Sequence, residues 1–506
     1  MFIIKLVSSK KYNINLLIVA MGVIIVYSTR LLMQMIVAAK FGASSEFDSY
    51  NVALVIPNLF LLVIAGSLER IFLPIVSEFR IKNGIDEAKS VVSLILIIFF
   101  VLLILISTLC TFFAPYIIKI SAPGLDSESY IKSVELLKIL AWILVPMGLV
   151  LPLTLLHNIN ERFDLPVFTD FIKAIIYLGT AVVLINILGI IGLALSFLLS
   201  VVVKLILLLI STRHEFSINQ INFTSKNINI IYQTWLPIAV IQIFSQCYPI
   251  IDRYFASYFG TGAISYITYA YSLSEIPNAI IGYSVGVVFF PVIANAVVKQ
   301  DNSELNIIVT KAIKSVFSYG LPLLIWMIVE REKIIALLLE RGQFTNEDTT
   351  ITSGIFLCYM VATFGGMIGN VTSKVIWAYR SIKFFFVLTL INIITYIVLI
   401  NSLSVVIGLL GIAISLGVML NISWIIQMLY IIWKIGPLKF QLSKETSIRS
   451  IIFLFIFTFG IYVISVFWSS SNLHNKVGLF VGLLFSFSFG IICLVSFRYV
   501  NKTKFL

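Results

Sequence analysis

Arg30 stands inside an apolar run that extends from about residue 14 to residue 39, where an ionised side chain has little water to meet. A charge held at mid-bilayer costs roughly 2.5–3.5 kcal/mol on insertion scales, so each such group needs a partner or a function. Arg30 either snorkels and pairs locally or holds an anion. Glu69 and Arg70 are adjacent in a later run. Neighbouring helical residues point in different directions, so these two are not simply each other's partner; they anchor at an interface or line a cavity. Glu275 lies two residues before Pro277 and three before Asn278. A carboxylate there can pair with Arg30 or hold a proton or a cation. Lys138, Asp170, Lys173, Lys204 and Lys374 read as snorkelling residues near helix ends, and Asp170 and Lys173, three apart, also as a local ion pair. Cys110, Cys247, Cys358 and Cys493 are scattered through apolar runs, and His157, His214 and His474 are isolated. That spacing builds no catalytic constellation and no metal or disulfide framework, so the chain is not read as an enzyme.

The elements that position these residues are membrane helices. Of 506 residues, 60% are hydrophobic and 11% charged, with a mean hydropathy of +1.07. About 30 Å of hydrocarbon asks for some 20 apolar residues at 1.5 Å each. The run from Leu94 to Leu109 does not alternate as a barrel strand would, so the class is all-α. About fourteen spans are expected, near 14–39, 50–76, 90–120, 133–158, 164–187, 189–211, 229–258, 263–298, 308–339, 350–378, 382–400, 404–433, 447–468 and 477–497. The first is too long for the apolar core of a signal peptide and reads as an uncleaved span.

Charge sets the orientation. Lys and Arg number about 21 in loops and helix ends on the N-terminal side against about 7 on the other, which puts both termini in the cytoplasm. The net charge of +12 is therefore a topology signal and not a sign of a nucleic-acid partner. No loop is long enough to hold a soluble domain.

The chain also repeats itself. Lys40-Phe41-Gly42, then Ile56-Pro57-Asn58, then Pro74 are matched by Tyr258-Phe259-Gly260, Ile276-Pro277-Asn278 and Pro291. The offset is about six helices, an even number, so the halves are parallel repeats about an axis along the membrane normal. Pro57 and Pro277 mark matching bends. Paired breaks of this kind are the usual pointer to a substrate path, and Pro57 and Pro277 are read as hinges. The expected segments are a six-helix lobe over 1–222, a second over 223–440 and two additional helices over 441–506.

These residues resemble a known family. Phe41-Gly42, Asp48, Ile56-Pro57-Asn58, Gly66-Ser67 and Phe72-Leu73-Pro74 look like the first two helices of the MurJ (MviN) lipid II flippases. Ala122-Pro123-Gly124-Leu125 is similar to that family's Ala-Pro-Gly-Phe. Asp252-Arg253, Ala256-Ser257, Tyr269-Ala270, Leu273 and Pro277 look like its helices seven and eight, and Arg341-Gly342-Gln343-Phe344-Thr345 with Asp348-Thr349 is similar to its Arg-Gly-x-Phe-Thr-x-x-Asp-Thr segment. The resemblance covers roughly 14–440. It implies the multidrug/oligosaccharidyl-lipid/polysaccharide exporter fold: two six-helix lobes in a V, as in MATE transporters, plus two C-terminal helices.

The family lines its cavity with arginines thought to hold a diphosphate. At the matching positions this chain has Met33 (followed by Gln34), Phe60-Leu61-Leu62, and Ser272. Arg30, nearly one turn from Met33, is the cation placed to compensate. The expected substrate-binding set is Arg30, Arg70, Glu69, Glu275, Asp48 and Ser272. Asp252 and Asn392 match positions where some members bind sodium, although the next expected carboxylate is Tyr396.

The resemblance implies a flippase for a polyprenyl-diphosphate-linked saccharide in the bacterial cytoplasmic membrane, acting as a monomer, with lipids as surroundings, no cofactor, and sodium or proton coupling open. Lipid II and an O-antigen or other polysaccharide unit compete as substrate. Loss of the arginines tilts towards the second. A cation-coupled drug or metabolite antiporter is the alternative.

Overall fold

The computed structural model describes residues 10–82, 84–160, 162–214, 235–236, 238–240, 242–244, 246–438, 453–454, 456–466 and 476–502. These are predominantly helical, with no strand among them. In chain order the helices are α1 (Lys10–Phe41), α2 (Ser45–Lys82), α3 (Ile85–Phe112), α4 (Ala114–Ser121), α5 (Ser127–Leu140), α6 (Leu144–Ile159), α7 (Asp164–Leu188), α8 (Ile190–Thr212) and α9 (Tyr248–Ala256). Then follow α10 (Ala263–Pro277), α11 (Ser284–Val298), α12 (Asn302–Val329), α13 (Arg331–Leu338), α14 (Asn346–Ala378), α15 (Ile382–Ile407), α16 (Leu409–Ile435), α17 (Ile456–Val466) and α18 (Lys476–Lys502). Among the described residues, twelve stretches are long and apolar enough to cross a membrane. They coincide with twelve of the fourteen expected spans. The other two, 229–258 and 447–468, fall partly outside the described residues.

Contacts divide the chain into two units, Met1–Ile264 and Ser265–Leu506. The first therefore includes α9, which the repeat assigns to the second half. Two hydrogen bonds account for this grouping. The Gly262 amide donates to the buried Asp48 carboxylate at 2.6 Å, and the Gly124 amide donates to the Ser257 hydroxyl at 3.0 Å. A Cβ on Gly124 would lie 2.6 Å from the Ser257 carbonyl oxygen, so the close approach requires glycine. The last two helices group with the second unit. Trp326 Nε1 donates to Ser486 Oγ at 3.0 Å, and Lys333 Nζ donates to the Ser465 carbonyl at 2.8 Å while pairing with buried Glu330 at 3.3 Å.

The repeat is clearest at two turns that sequence reading passed over. Gly189 (φ 58°) ends α7 and Gly408 (φ 62°) ends α15, in the left-handed region where a Cβ is strained. Three residues on, a Cβ at Gly192 would clash with the Leu184 carbonyl, and one at Gly411 with the Leu403 carbonyl. One turn further, Ser196 Oγ donates to the Gly192 carbonyl and Ser415 Oγ to the Gly411 carbonyl, both at 2.6 Å. The offset from 189 to 408 thus recurs from 192 to 411 and from 196 to 415. The helices preceding these turns are also the two least buried spans, at 17% each. Both present broad apolar faces, as a lipid-facing helix must.

Asp170 does not pair with Lys173 alone: its Oδ1 meets the buried Lys204 ammonium across to α8 at 2.5 Å. Helix-to-helix packing brings a closer partner than the i,i+3 neighbour.

Gly192→Ala and Gly411→Ala should each destabilise the protein by about 1–3 kcal/mol, the usual cost of forcing atoms into filled space. Gly179→Ala, with nothing within 4 Å of the added carbon, should be neutral or slightly stabilising. Thermal unfolding in detergent, read by intrinsic fluorescence, orders the three variants.

Candidate functional site

The residue that organises the second unit's polar face is a proline. Pro277 has no N–H to donate four residues back, so the α-helical ladder breaks there. The chain continues as a π-helical turn over Asn278–Tyr283 before α11 resumes. Such a turn inside a membrane helix leaves backbone and side-chain polar groups to be satisfied by neighbours. Here α14 supplies them. Thr363 Oγ1 donates to the Ser274 carbonyl at 2.9 Å. Asn278 Nδ2 donates to Glu275 Oε2 at 3.2 Å, and Asn370 Nδ2 donates to Asn278 Oδ1 at 2.8 Å.

Glycines let the helices come this close. An added Cβ on Gly282 would sit 2.8 Å from Met367 Cα and 2.6 Å from Asn278 Oδ1, and one on Gly286 would sit 3.1 Å from the Asn370 carbonyl. Small residues at a helix contact are the common device for close packing in lipid. One turn beyond Asn370, the Lys374 ammonium lies 5.9 Å from the Tyr283 ring centre and 5.5 Å from that of Phe290. Glu275, Asn278, Asn370 and Lys374 are all half-buried. The seam therefore runs from a carboxylate through two amides towards an ammonium, an order suited to a ligand carrying both hydroxyls and an anion. Ser272 is half-buried on α10, three residues from Glu275 and on the same helical face.

The first unit distributes its expected residues differently. Arg30 is exposed on α1, whereas Met33, nearly one turn on, is buried. Asp48 is 2% exposed and engaged with Gly262. Glu69 and Arg70 lie on α2, and their side chains fall outside the described residues. Pro57 is buried within α2, which runs unbroken from Ser45 to Lys82. The two matched prolines thus differ: only the second is followed by a π-helical turn.

Asp252 is buried on α9 of the first unit, its carboxylate 3.8 Å from Arg253 Nη1. Asn392 belongs to α15 of the second unit. Its amide donates to Ser423 Oγ at 2.9 Å, and its carbonyl oxygen is buried with no hydrogen-bond partner among the described residues. An orphaned carbonyl oxygen suits a hard cation. Among the described residues, no three His, Cys, Asp or Glu gather as a metal ion would need.

The Arg-Gly-Gln-Phe-Thr segment acts in folding. Thr345 and Asp348 form a reciprocal cap at the start of α14, Tyr266 donates to Asp348 at 2.6 Å, and buried Phe344 meets Tyr269 edge-on at 5.4 Å. The first unit has its counterpart: Asp126 caps α5 through the amides of Glu128 and Ser129, and Ser49 Oγ on α2 donates to the Ser129 carbonyl at 3.0 Å.

A family model described as lipid II flippase MurJ matches residues 37–495. The chain belongs to the MurJ family. Relatives include a probable lipid II flippase MurJ of Buchnera aphidicola subsp. Baizongia pistaciae, 25% identical over 360 residues and 69% of each chain. The lipid II flippase MurJ of Burkholderia cenocepacia is 24% identical over 368 residues, 70% of this chain and 71% of the other. Among solved structures, an inward closed lipid II flippase MurJ superposes with a TM-score of 0.80 at 23% identity, covering 97% of this chain and 99% of that one. An inward-facing MATE transporter gives 0.72 at 14% identity, over 82% and 96%. The fold is thus MurJ-like and MATE-like, a multi-pass membrane protein.

Within this MurJ-family chain, Asn370 was missed by sequence reading, and Lys374 was read only as a snorkelling residue. The signal was present: they sit four apart after Gly365-Gly366 and Gly369, so one helix face carries them past a glycine-lined contact. Asn278→Ala should remove both seam hydrogen bonds, of which only the one from Asn370 joins two helices, and lower stability by about 0.6–2 kcal/mol, the worth of one interhelical bond in a membrane. Thermal unfolding in detergent measures this; an unchanged midpoint would mean the seam does not hold α10 to α14.

Proposed function

We propose that this protein is a flippase that carries a polyprenyl-diphosphate-linked saccharide across the bacterial cytoplasmic membrane by alternating access, and is not an enzyme. The observation that carries the reading is family membership across residues 37–495. The relatives' names favour lipid II as the substrate. The absence of arginine at Met33, Phe60 to Leu62 and Ser272 keeps another polysaccharide unit as the competing substrate.

The geometry supports a division of labour. In the second unit, Glu275, Asn278 and Asn370 offer an acceptor and amides to sugar hydroxyls, with Lys374 as a cation for phosphate. Ser272 lies on the Glu275 face, and in the first unit Arg30 supplies an exposed cation on α1. Glu69, Arg70 and Asp48 belong to the proposed set by position. Pro57 and Pro277 are the bending points, Pro277 the more pronounced. An apolar groove of about 380 Å³, lined by Tyr319, Trp326, Phe457 and Phe487 among others, suits a hydrocarbon chain. Both termini face the cytoplasm, membrane lipids surround a functional monomer, and no nucleic acid takes part.

Coupling to sodium or a proton belongs to the same proposal. The orphaned Asn392 oxygen and the buried Asp252 carboxylate are the groups that favour it. A cation-coupled antiporter of the same superfamily would use these groups too, and the MATE-like fold accommodates it.

Complementation of a bacterium depleted of its own lipid II flippase tests the reading. The wild-type chain should restore growth, and Arg30→Ala or Glu275→Gln should lower rescue at equal membrane abundance. Failure of the inserted wild-type chain to rescue would move the substrate to another lipid-linked polysaccharide unit. Rescue of equal strength by both variants would remove Arg30 and Glu275 from the path.

A further inference from the structure

One helix of the first unit carries charge where the bilayer tolerates least of it. On α7, Phe168, Phe171, Ile175 and Val182 are 47–58% exposed and form one apolar stripe. Roughly opposite, Asp170, Lys173 and Tyr177 recur at the spacing of a helix face. That second stripe turns to α8 and α2. Asp170 binds the Lys204 ammonium of α8, Tyr177 hydrogen-bonds the Tyr50 side chain of α2, and Lys173 lies over the Phe197 ring of α8 at 5.6 Å.

Depth rules out the ordinary reading of Lys173. It is nine residues into α7, or about 14 Å along the axis from the helix start at 1.5 Å per residue. In a hydrocarbon layer of about 30 Å this is near the middle, where a lysine stem does not easily reach the interface. The charge count is equally telling. Asp170 and Lys204 neutralise each other, while Lys173 feels the attraction of one and the repulsion of the other. The cluster of two ammonium groups and one carboxylate therefore holds one net positive charge inside the first unit. Phe197 eases that charge only partly, since a ring face is a weak substitute for an anion. Lys173 itself remains half-buried beside that pair.

We propose that Lys173, positioned by the Asp170–Lys204 pair and Phe197, is a diphosphate-binding cation of the first unit. It supplies charge that the family's arginine positions lack in this chain. This rests on the flippase reading for the source of the diphosphate, a lipid headgroup, though free diphosphate shares the chemistry. Lys204 is already committed to Asp170, so Lys173 is the group that meets the ligand and the pair is what holds it in place.

The test uses the full-length protein in nanodiscs, with farnesyl diphosphate and inorganic diphosphate as probes. Wild type should bind farnesyl diphosphate, with inorganic diphosphate competing. Lys173→Met should weaken binding at least about tenfold, the loss expected for one charge-assisted hydrogen bond, while Lys173→Arg should stay within a few-fold of wild type. Lys173→Gln serves if the Met variant is not monodisperse on gel filtration. Wild-type affinity in folded Lys173→Met or Lys173→Gln would overturn the proposal, as would equal loss in Lys173→Met and Lys173→Arg, which marks a packing role. Binding of inorganic diphosphate alone, dependent on Lys173, would keep the cation site and count against the lipid-flippase reading. Full rescue of the depleted strain by Lys173→Met together with its unchanged binding would sink this proposal and leave that reading intact.

Discussion

A hydrocarbon layer gives a polar group nothing to bond to, and most of this structure follows from that. Each helix satisfies its own backbone, so the described chain is predominantly helical. Each departure from a regular helix then has to be answered by a side chain or a carbonyl from a neighbour. The π-helical turn after Pro277 is answered from α14 through Thr363 and Asn370. Buried Lys204 is answered by Asp170, and Glu330 by Lys333. Hydroxyls along the helices return to their own backbone, as Ser67 does to the Val63 carbonyl at 2.6 Å.

The two halves solve the same problems with interchangeable parts. Helix α5 opens with aspartate at its cap and serine three residues on, whereas α14 opens with threonine at its cap and aspartate three residues on. In both, the first turns of the preceding half-repeat dock against that cap, through Ser49 in one unit and Tyr266 in the other. The glycine turns at 189 and 408 need the same backbone freedom and the same close approach three residues later. The backbone devices are kept in both halves, but the matched prolines differ: Pro57 passes through an unbroken helix, while Pro277 opens a polar seam.

The placement of charge departs from what the family resemblance implies. Apolar or small residues occupy Met33, Phe60 to Leu62 and Ser272. Cations appear instead on other helices, at Lys374 over two rings in the second unit and at Lys173 beside an ion pair in the first.

The sequence by itself determined the class, the spans and the parallel repeat, because hydropathy and positive-charge bias act on whole segments and survive a few residues of boundary error. It also pointed to Glu275 and the break at Pro277, since a charge and a proline in an apolar run are conspicuous in one dimension. Tertiary structure decided which groups meet. Asp170 turned from its neighbour Lys173 to Lys204, Asp48 closed on the Gly262 amide, and Asn370 and Lys374 joined Glu275 in one seam. The reason is geometric. A polar side chain in lipid takes the nearest partner in space, and which partner is nearest depends on how closely glycines such as Gly282 and Gly286 let two helices approach.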